Sequence, residues 1–340
     1  MIQLLKEVGR GKRGARDLTY EEALSAAGKI LSREATPAQI GAFLIAERVK
    51  MESAEEIEAF AAVCRQAAYR TSAHQGLDCA GPYDGRKKSF MATFPAAFLL
   101  AAAGLPVTLH GAPSLPPKWG ITLHDLMLAA GFDPSRAGKE AALRAAARAG
   151  VLYVDAETWC PPLKELRPIR EELGMRTVFN TAEKLVDYAH SPFLAIGVYH
   201  NTVFDRTSRL LTKLGYRKAL IVQGEEGSED LHVDRPTRCY LVENGEARLQ
   251  VIDPDAYGLD AEAPETEWTP VKQLQAAEDV LRGQGPLAYI YQTALNAAVR
   301  LHLADRAGSV EEGLYQCKAI LESGGAWNRY ARWKEVLLRG

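Results

Sequence analysis

The run from Cys79 to Gly111, CAGPYDGRKKSFMATFPAAFLLAAAGLPVTLHG, constrains this chain more than any other stretch. Between Ala92 and Ala103 stand Ala, Leu and Phe with no interior glycine, all compatible with a helix, and Pro95 lies where a first turn tolerates it. Gly104-Leu105-Pro106 stops that helix. Val107 to His110 reads as a strand, and Cys79 as the end of an earlier one, so the unit is a βαβ crossover. Its loop then lies at the carboxyl edge of a sheet, where open α/β folds take their ligands. Gly81, Gly85, Arg86, Lys87 and Lys88 stand in that loop just before a helix start. Backbone amides, a helix dipole and three cations can converge there on an anion. A solvated basic turn is the competing reading.

The flanking sequence extends this unit in both directions. Thr19 with Glu22, Thr36 before Pro37, and Ser53 with Glu56 mark three helix starts before Tyr69, which predicts a small all-helical domain. Its exposed apolar faces suit packing on another copy of the chain, hence a homodimer. Beyond Leu77, helices are expected near 122–130, 139–149 and 204–214, with a helical, cation-rich return over 161–188. Strands are expected at 151–154, 194–199 and 218–223. Asn244-Gly245 joins 239–243 to 247–252 as a hairpin. Helices near 269–282, 287–304 and 309–323 close the chain. The fold class is therefore α/β: a small helical domain over 1–70, with a returning segment near 161–190, and a larger α/β domain over 71–160 and 191–340. Its central sheet is mixed, mainly parallel and flanked by helices.

Charge narrows the partners. With 41 Lys and Arg against 43 Asp and Glu, the chain is no polycation, so affinity for nucleic acid requires a local patch. Arg10, Lys12, Arg13 and Arg16 form one such patch, Arg86 to Lys88 a second, and Lys164, Arg167, Arg170 and Arg176 a third. Five cysteines with unpatterned gaps suggest neither a disulfide framework nor a zinc site. No run approaches the roughly 18 uncharged apolar residues of a membrane span, and the chain is read as cytoplasmic. Of the histidines, only His110 sits at a predicted strand end beside the loop; His124 and His200 are read as satisfied polar groups.

With these segments laid out, the chain resembles the anthranilate phosphoribosyltransferase family, which shares its fold with pyrimidine nucleoside phosphorylases. The resemblance runs through LTYEEALSAAGKILSREATPAQIGAFLIAERVKMESAEEI, FPAAFLLAAAGLPVTLHG, RPIREELGMRTVFN, QGEEGSEDL and ALNAAVRLHLADRAGSVEEGL. It implies that Arg170 corresponds to the arginine gripping the anthranilate carboxylate. It implies too that Glu229-Asp230 stand where the family coordinates Mg²⁺ with phosphoribosyl pyrophosphate, a cation that suits carboxylate oxygens. Pairing of Arg170 with Glu172 or another carboxylate, and a capping role for Glu229-Asp230, are the competing expectations. The family's Gly-Thr-Gly-Gly-Asp-Gly loop is Ala80 to Gly85 here, with Pro82 and Tyr83 inside it. Met91, Ala92, Thr93 and Phe94 replace Asn-Ile-Ser-Thr, and Leu109 to Ala112 replace Lys-His-Gly-Asn. The loop is one residue longer and carries Arg86-Lys87-Lys88.

PYDGRKK, the arm GRGKRGARDL and CPPL resemble a divergent branch of the family that binds nucleic acid in a basic groove along a homodimer. The preferred expectation is therefore a degenerate phosphoribosyl pyrophosphate loop and non-specific single-stranded nucleic acid bound between the domains. Arg10, Lys12, Arg13, Arg16, Arg86, Lys87, Lys88, Lys118, Arg170 and Arg176 would meet phosphate, with Gly85, Thr93 and His110 beside them. Tyr83, Phe90 and Trp119 would offer stacking faces, although Phe90 is as readily a core residue. The alternative is an active, Mg²⁺-dependent anthranilate phosphoribosyltransferase in which Asp84, Lys88, Thr93 and His110 stand in for the missing loop donors. Pyrimidine nucleoside phosphorolysis is a third option, since the fold serves it too.

Overall fold

A computed structural model of the chain describes residues 1–11, 13–200, 203–259 and 261–339. Three helices begin where side chains cap them: α2 (Tyr20–Leu31), α3 (Pro37–Lys50) and α4 (Ala54–Ala67) each follow a capping box built by Thr19 and Glu22, Thr36 and Gln39, and Ser53 and Glu56. They follow α1 (Ile2–Val8). The loop-bearing crossover is β1 (Leu77–Ala80), α5 (Thr93–Ala102) and β2 (Val107–Gly111). Next come α6 (Leu123–Ala129), α7 (Lys139–Ala149), β3 (Val151–Asp155), α8 (Ala156–Trp159), α9 (Pro161–Leu173) and α10 (Phe179–Ala182). β4 (Phe193–Gly197), α11 (Phe204–Lys213) and β5 (Lys218–Val222) lead to the hairpin β6 (Thr237–Glu243) and β7 (Glu246–Ile252). Asn244 at φ 52° and Gly245 at φ 81° close that hairpin, as the left-handed turn of Asn-Gly requires.

The seven strands form one sheet in the order β3-β2-β1-β4-β5-β6-β7. The first five are parallel, with Leu77 opposite both Val107 and Phe193, and β6 and β7 are antiparallel. After β1 the chain winds outward through β2 and β3, then returns to the other side of β1 as β4. The crevice between the ends of β1 and β4 is therefore a topological switch point.

Helices cover both faces of the sheet. One face holds α5, every residue of which from Thr93 to Ala101 is buried, together with α12 (Pro270–Leu281), α13 (Leu287–Leu303), α14 (Val310–Glu322) and α15 (Gly325–Arg339). The sequence reading ends the last helix near Ser323 and misses α15. Gly324 reads as a terminator and does serve as one at φ 71°, but a new helix starts beside it and seats Tyr330 and Trp333 on Phe94 and Phe98. The other face packs α1 to α4 with the returning α9 and α10. There Arg33 donates to the Glu165 carbonyl across 2.8 Å and the Tyr69 amide to the Trp159 carbonyl across 2.7 Å. Among the described residues no helix is long and apolar enough to cross a membrane.

Candidate functional site

The loop between β1 and α5 runs along the switch point, and packing dictates its path. Gly85 lies at φ 74°, where a Cβ would come 2.4 Å from the Gly120 carbonyl, so only glycine fits. Arg86 then pairs with Ile121 as a two-way backbone bridge, and its side chain turns inward. The next three amides converge on one carboxylate: Lys87, Lys88 and Ser89 N–H donate to Glu226 across 2.9 to 3.1 Å, and the Ser89 hydroxyl donates across 2.8 Å. Burial disfavours that charge, yet the amides more than offset it and hold the Glu226 carboxyl below its ordinary value. The amides thus face an anion, as the sequence suggests, but the anion belongs to the chain.

Beside this loop, a cleft of about 410 Å³ opens between the helical layer and the ends of β1 and β4. Asp84 lies in its wall, 3.2 Å from Lys118 Nζ and 3.6 Å from an Arg176 Nη. Lys118 also donates to the Glu226 carbonyl across 2.8 Å. Lys184, fully buried against the same cleft, donates to the Gly197 carbonyl across 2.8 Å. Burial, with Arg176 nearby, lowers its ammonium to about 8. Burial likewise lowers Lys118, against the pull of Asp84. Three cations around one carboxylate leave a positive surplus, which suits a phosphorylated ligand.

Lys118 and Arg176 therefore sit together as the sequence predicts, and the side chains of Lys87 and Lys88 point to solvent at the neighbouring turn. The rest of the expected groove is not assembled. Arg86 is buried, 2.7 Å from Asp230, and its hydrogen bond to the Phe90 carbonyl faces inward. Tyr83 is buried, its hydroxyl 2.7 Å from His110 Nδ1, and His110 Nε2 lies 3.0 Å from Asp78. Neither ring lines the cleft, because Tyr83 turns inward from the loop onto His110 of β2. Phe90 stacks on Tyr289 and Trp268 in the core, while Trp119 remains 50% exposed. In the amino-terminal arm, Arg10 binds Glu7 and Arg16 binds Glu7 and Glu22, so both are neutralised. Arg13 is exposed, and Lys12 lies outside the described residues.

Of the positions drawn from the family resemblance, Arg170 and Asp230 are paired within the chain and Glu229 is not hydrogen-bonded among the described residues. Arg170 forms a buried bidentate pair with Glu183 at 2.6 and 2.9 Å, rather than with Glu172. Thr93 is buried; its amide donates to Asp230 and its hydroxyl accepts from Arg300. Asp230 is held by Arg86 and Arg300, and Glu229 lies beside it with neither oxygen hydrogen-bonded among the described residues. Sequence reasoning missed Glu183, Lys184, Glu226 and Arg300. Each is an ordinary charged residue in an ordinary-looking helix or turn, and only the fold shows what it faces.

Comparison with known proteins follows the same architecture. The model of the glycosyl transferase family, helical bundle domain, matches residues 2–68, and that of the glycosyl transferase family, a/b domain, matches residues 79–327. Anthranilate phosphoribosyltransferase of Desulfitobacterium hafniense (strain Y51) is 31% identical over 314 residues, covering 91% of this chain and 92% of its own. That of Methylobacterium nodulans is 33% identical over 314 residues, covering 91% of each. Among solved structures, the anthranilate phosphoribosyltransferase of Thermus thermophilus superposes with a TM-score of 0.84 at 26% identity, over 98% of this chain and 99% of its own. The Saccharomyces cerevisiae enzyme in complex with PRPP and Mg gives 0.82 at 19% identity, over 100% and 98%, a likeness of fold. Both domains match and the overall fold superposes, and the chain belongs to the glycosyl transferase family that contains the anthranilate phosphoribosyltransferases.

Proposed function

We propose that the chain is a phosphoribosyltransferase that binds phosphoribosyl pyrophosphate in the cleft at the ends of β1 and β4. The observation carrying this reading is the cluster of Lys118, Arg176 and Lys184 around Asp84, at the switch point where α/β folds take ligands. The names of the curated relatives support it. Catalysis of this class consists mainly of positioning and of neutralising the charge on departing pyrophosphate, and fixed cations in the cleft supply both. The acceptor is less strongly held, because the Arg170 fork is already engaged by Glu183 and a carboxylate acceptor must displace it. Weak use of anthranilate is expected.

Calorimetry with phosphoribosyl pyrophosphate tests the reading. Removing one ionic partner costs about 1.5–3 kcal/mol, so K118A and R176A are each expected to weaken binding roughly ten- to hundredfold. No binding to the wild-type chain would end this reading. Rapid turnover of anthranilate by the wild-type chain would end the statement about the acceptor alone.

A second reading rests on the cleft mouth, where Lys87 and Lys88 are exposed without ion pairs among the described residues and Trp119 is half exposed beside Lys118. Cations next to an open ring suit single-stranded nucleic acid. We further propose the homodimer through the helical layer, supported by an open groove along α1 and α2 lined by Met1, Ile2 and Leu4.

A further inference from the structure

The family resemblance assigns Mg²⁺ to Glu229-Asp230, and the residues around the pair decide whether the ion fits. Mg²⁺ demands near-octahedral oxygen ligands, keeps several waters and takes one or two carboxylates. Asp230 has no free oxygen to give. Its Oδ2 lies 2.7 Å from Arg86 and accepts the Thr93 amide across 3.0 Å, and its Oδ1 accepts from Arg300 across 2.9 Å. Arg300, from the middle of α13, also donates to the Glu229 carbonyl across 3.1 Å. All four charged side chains are buried. The Glu229 carboxylate packs against Gly81 so closely that a Cβ there would stand 2.9 Å from it.

Two carboxylates and two guanidinium groups make a charge-balanced cluster in which Asp230 is fully engaged, while Glu229 is balanced by charge alone, its two oxygens without hydrogen bonds among the described residues. A divalent cation would bring two more positive charges into this cluster, beside two guanidinium groups already held on Asp230. It could take Asp230 as a ligand only by expelling an arginine, which would then be buried without that partner. The residues therefore do not fit magnesium.

We propose that Arg86 and Arg300 have taken the metal's place, so that this chain holds its anionic ligand without a divalent cation and uses the clamp on Asp230 to tie the switch-point loop to α13. Arg86 comes from the RKK run that the loop carries. Arg300 lies 70 residues beyond Asp230. The clamp itself is independent of the phosphoribosyl reading; only the ligand half of the experiment rests on that reading.

The experiment has two arms on the purified full-length chain. In the first, Mn²⁺ is titrated and the free ion followed by electron paramagnetic resonance. Glu225, His232 and Asp234 lie together near the Lys88-Ser89 end of the loop and could take Mn²⁺ themselves, so the titration is run in the H232Q background. No saturable binding is expected, and unfolding temperatures should be the same with Mg²⁺ and with chelator. R86Q or R300M frees the carboxylates and should create saturable Mn²⁺ binding together with stabilisation by Mg²⁺. Saturable binding that D230N abolishes would overturn the proposal, and this readout stands even if the arginine variants do not fold. In the second arm, affinity for phosphoribosyl pyrophosphate is compared with Mg²⁺ and with chelator. Values within about twofold support the proposal, whereas tightening by about tenfold or more with Mg²⁺ would overturn it. Absence of ligand binding under both conditions would remove the phosphoribosyl reading, while the Mn²⁺ titration would still decide the clamp.

Discussion

Glu183 occupies the fork of Arg170 as a substrate carboxylate would, and both groups are buried. Removing it should release the arginine for an external acid. E183A is expected to tighten anthranilate binding roughly tenfold or more, a charge-assisted bond being worth about 1.5–3 kcal/mol. It should also lower stability by about 3–5 kcal/mol, because Arg170 is left buried and unpaired. Calorimetry with anthranilate and denaturant unfolding check the two effects separately. Lys184 yields a prediction of the opposite sign. In the unfolded chain its ammonium persists up to the ordinary 10.5, but in the folded protein it deprotonates at about 8. Between those values the folded state binds fewer protons, so Lys184 weakens folding as pH falls from 10.5 and does so fully below 8. The stability gained by K184M should be larger at pH 7 than near pH 10.5, by on the order of 2–3 kcal/mol. Equal gains at both pH values would show that Lys184 is not protonated differently in the two states.

The loop from Gly81 to Ala92 is the element whose conformation matters most, and distant residues hold it. Glu226 collects three of its amides, Arg86 anchors on Asp230, and Gly85 permits contact with Gly120. Glu226 itself has φ 50°, a conformation that non-glycine residues adopt only when their surroundings impose it. E226A relieves none of that backbone strain and removes the acceptor, so the amides of 87–89 should lose hydrogen-exchange protection while β1 and α5 keep theirs. Retained protection over 87–89 would mean that another group, not Glu226, holds the turn. Helix α5 is the rigid counterpart. Because every face of it is buried, L99A should cost about 2–5 kcal/mol, measured by denaturant unfolding, even though the residue does not line the cleft.

At the scale of the whole molecule, the cleft exists because β1 has the helical layer on one side and returns to β4 on the other. Nucleic acid bound across its mouth would show affinity falling with salt at a logarithmic slope of about −0.7 per phosphate contacted, and K87A/K88A would flatten that slope. A fluorescence titration of a labelled oligonucleotide that detects no binding at low salt would remove this second reading. Sedimentation should give twice the chain mass if the helical layer pairs, and I2D in the α1 groove should halve it. The sequence by itself determined the capped helices, the βαβ unit, the Asn-Gly hairpin and the family, because caps, turn residues and periodicity act over a few neighbouring residues. Tertiary structure alone decided which charges are available. Arg86 reads as a free cation along the chain and Arg170 as free or paired with Glu172 or another carboxylate, yet Asp230 lies 144 positions from Arg86 and Glu183 lies 13 from Arg170. A charge is free or spent according to what folding places within a few ångströms of it, and the sequence near each arginine carries no record of that partner.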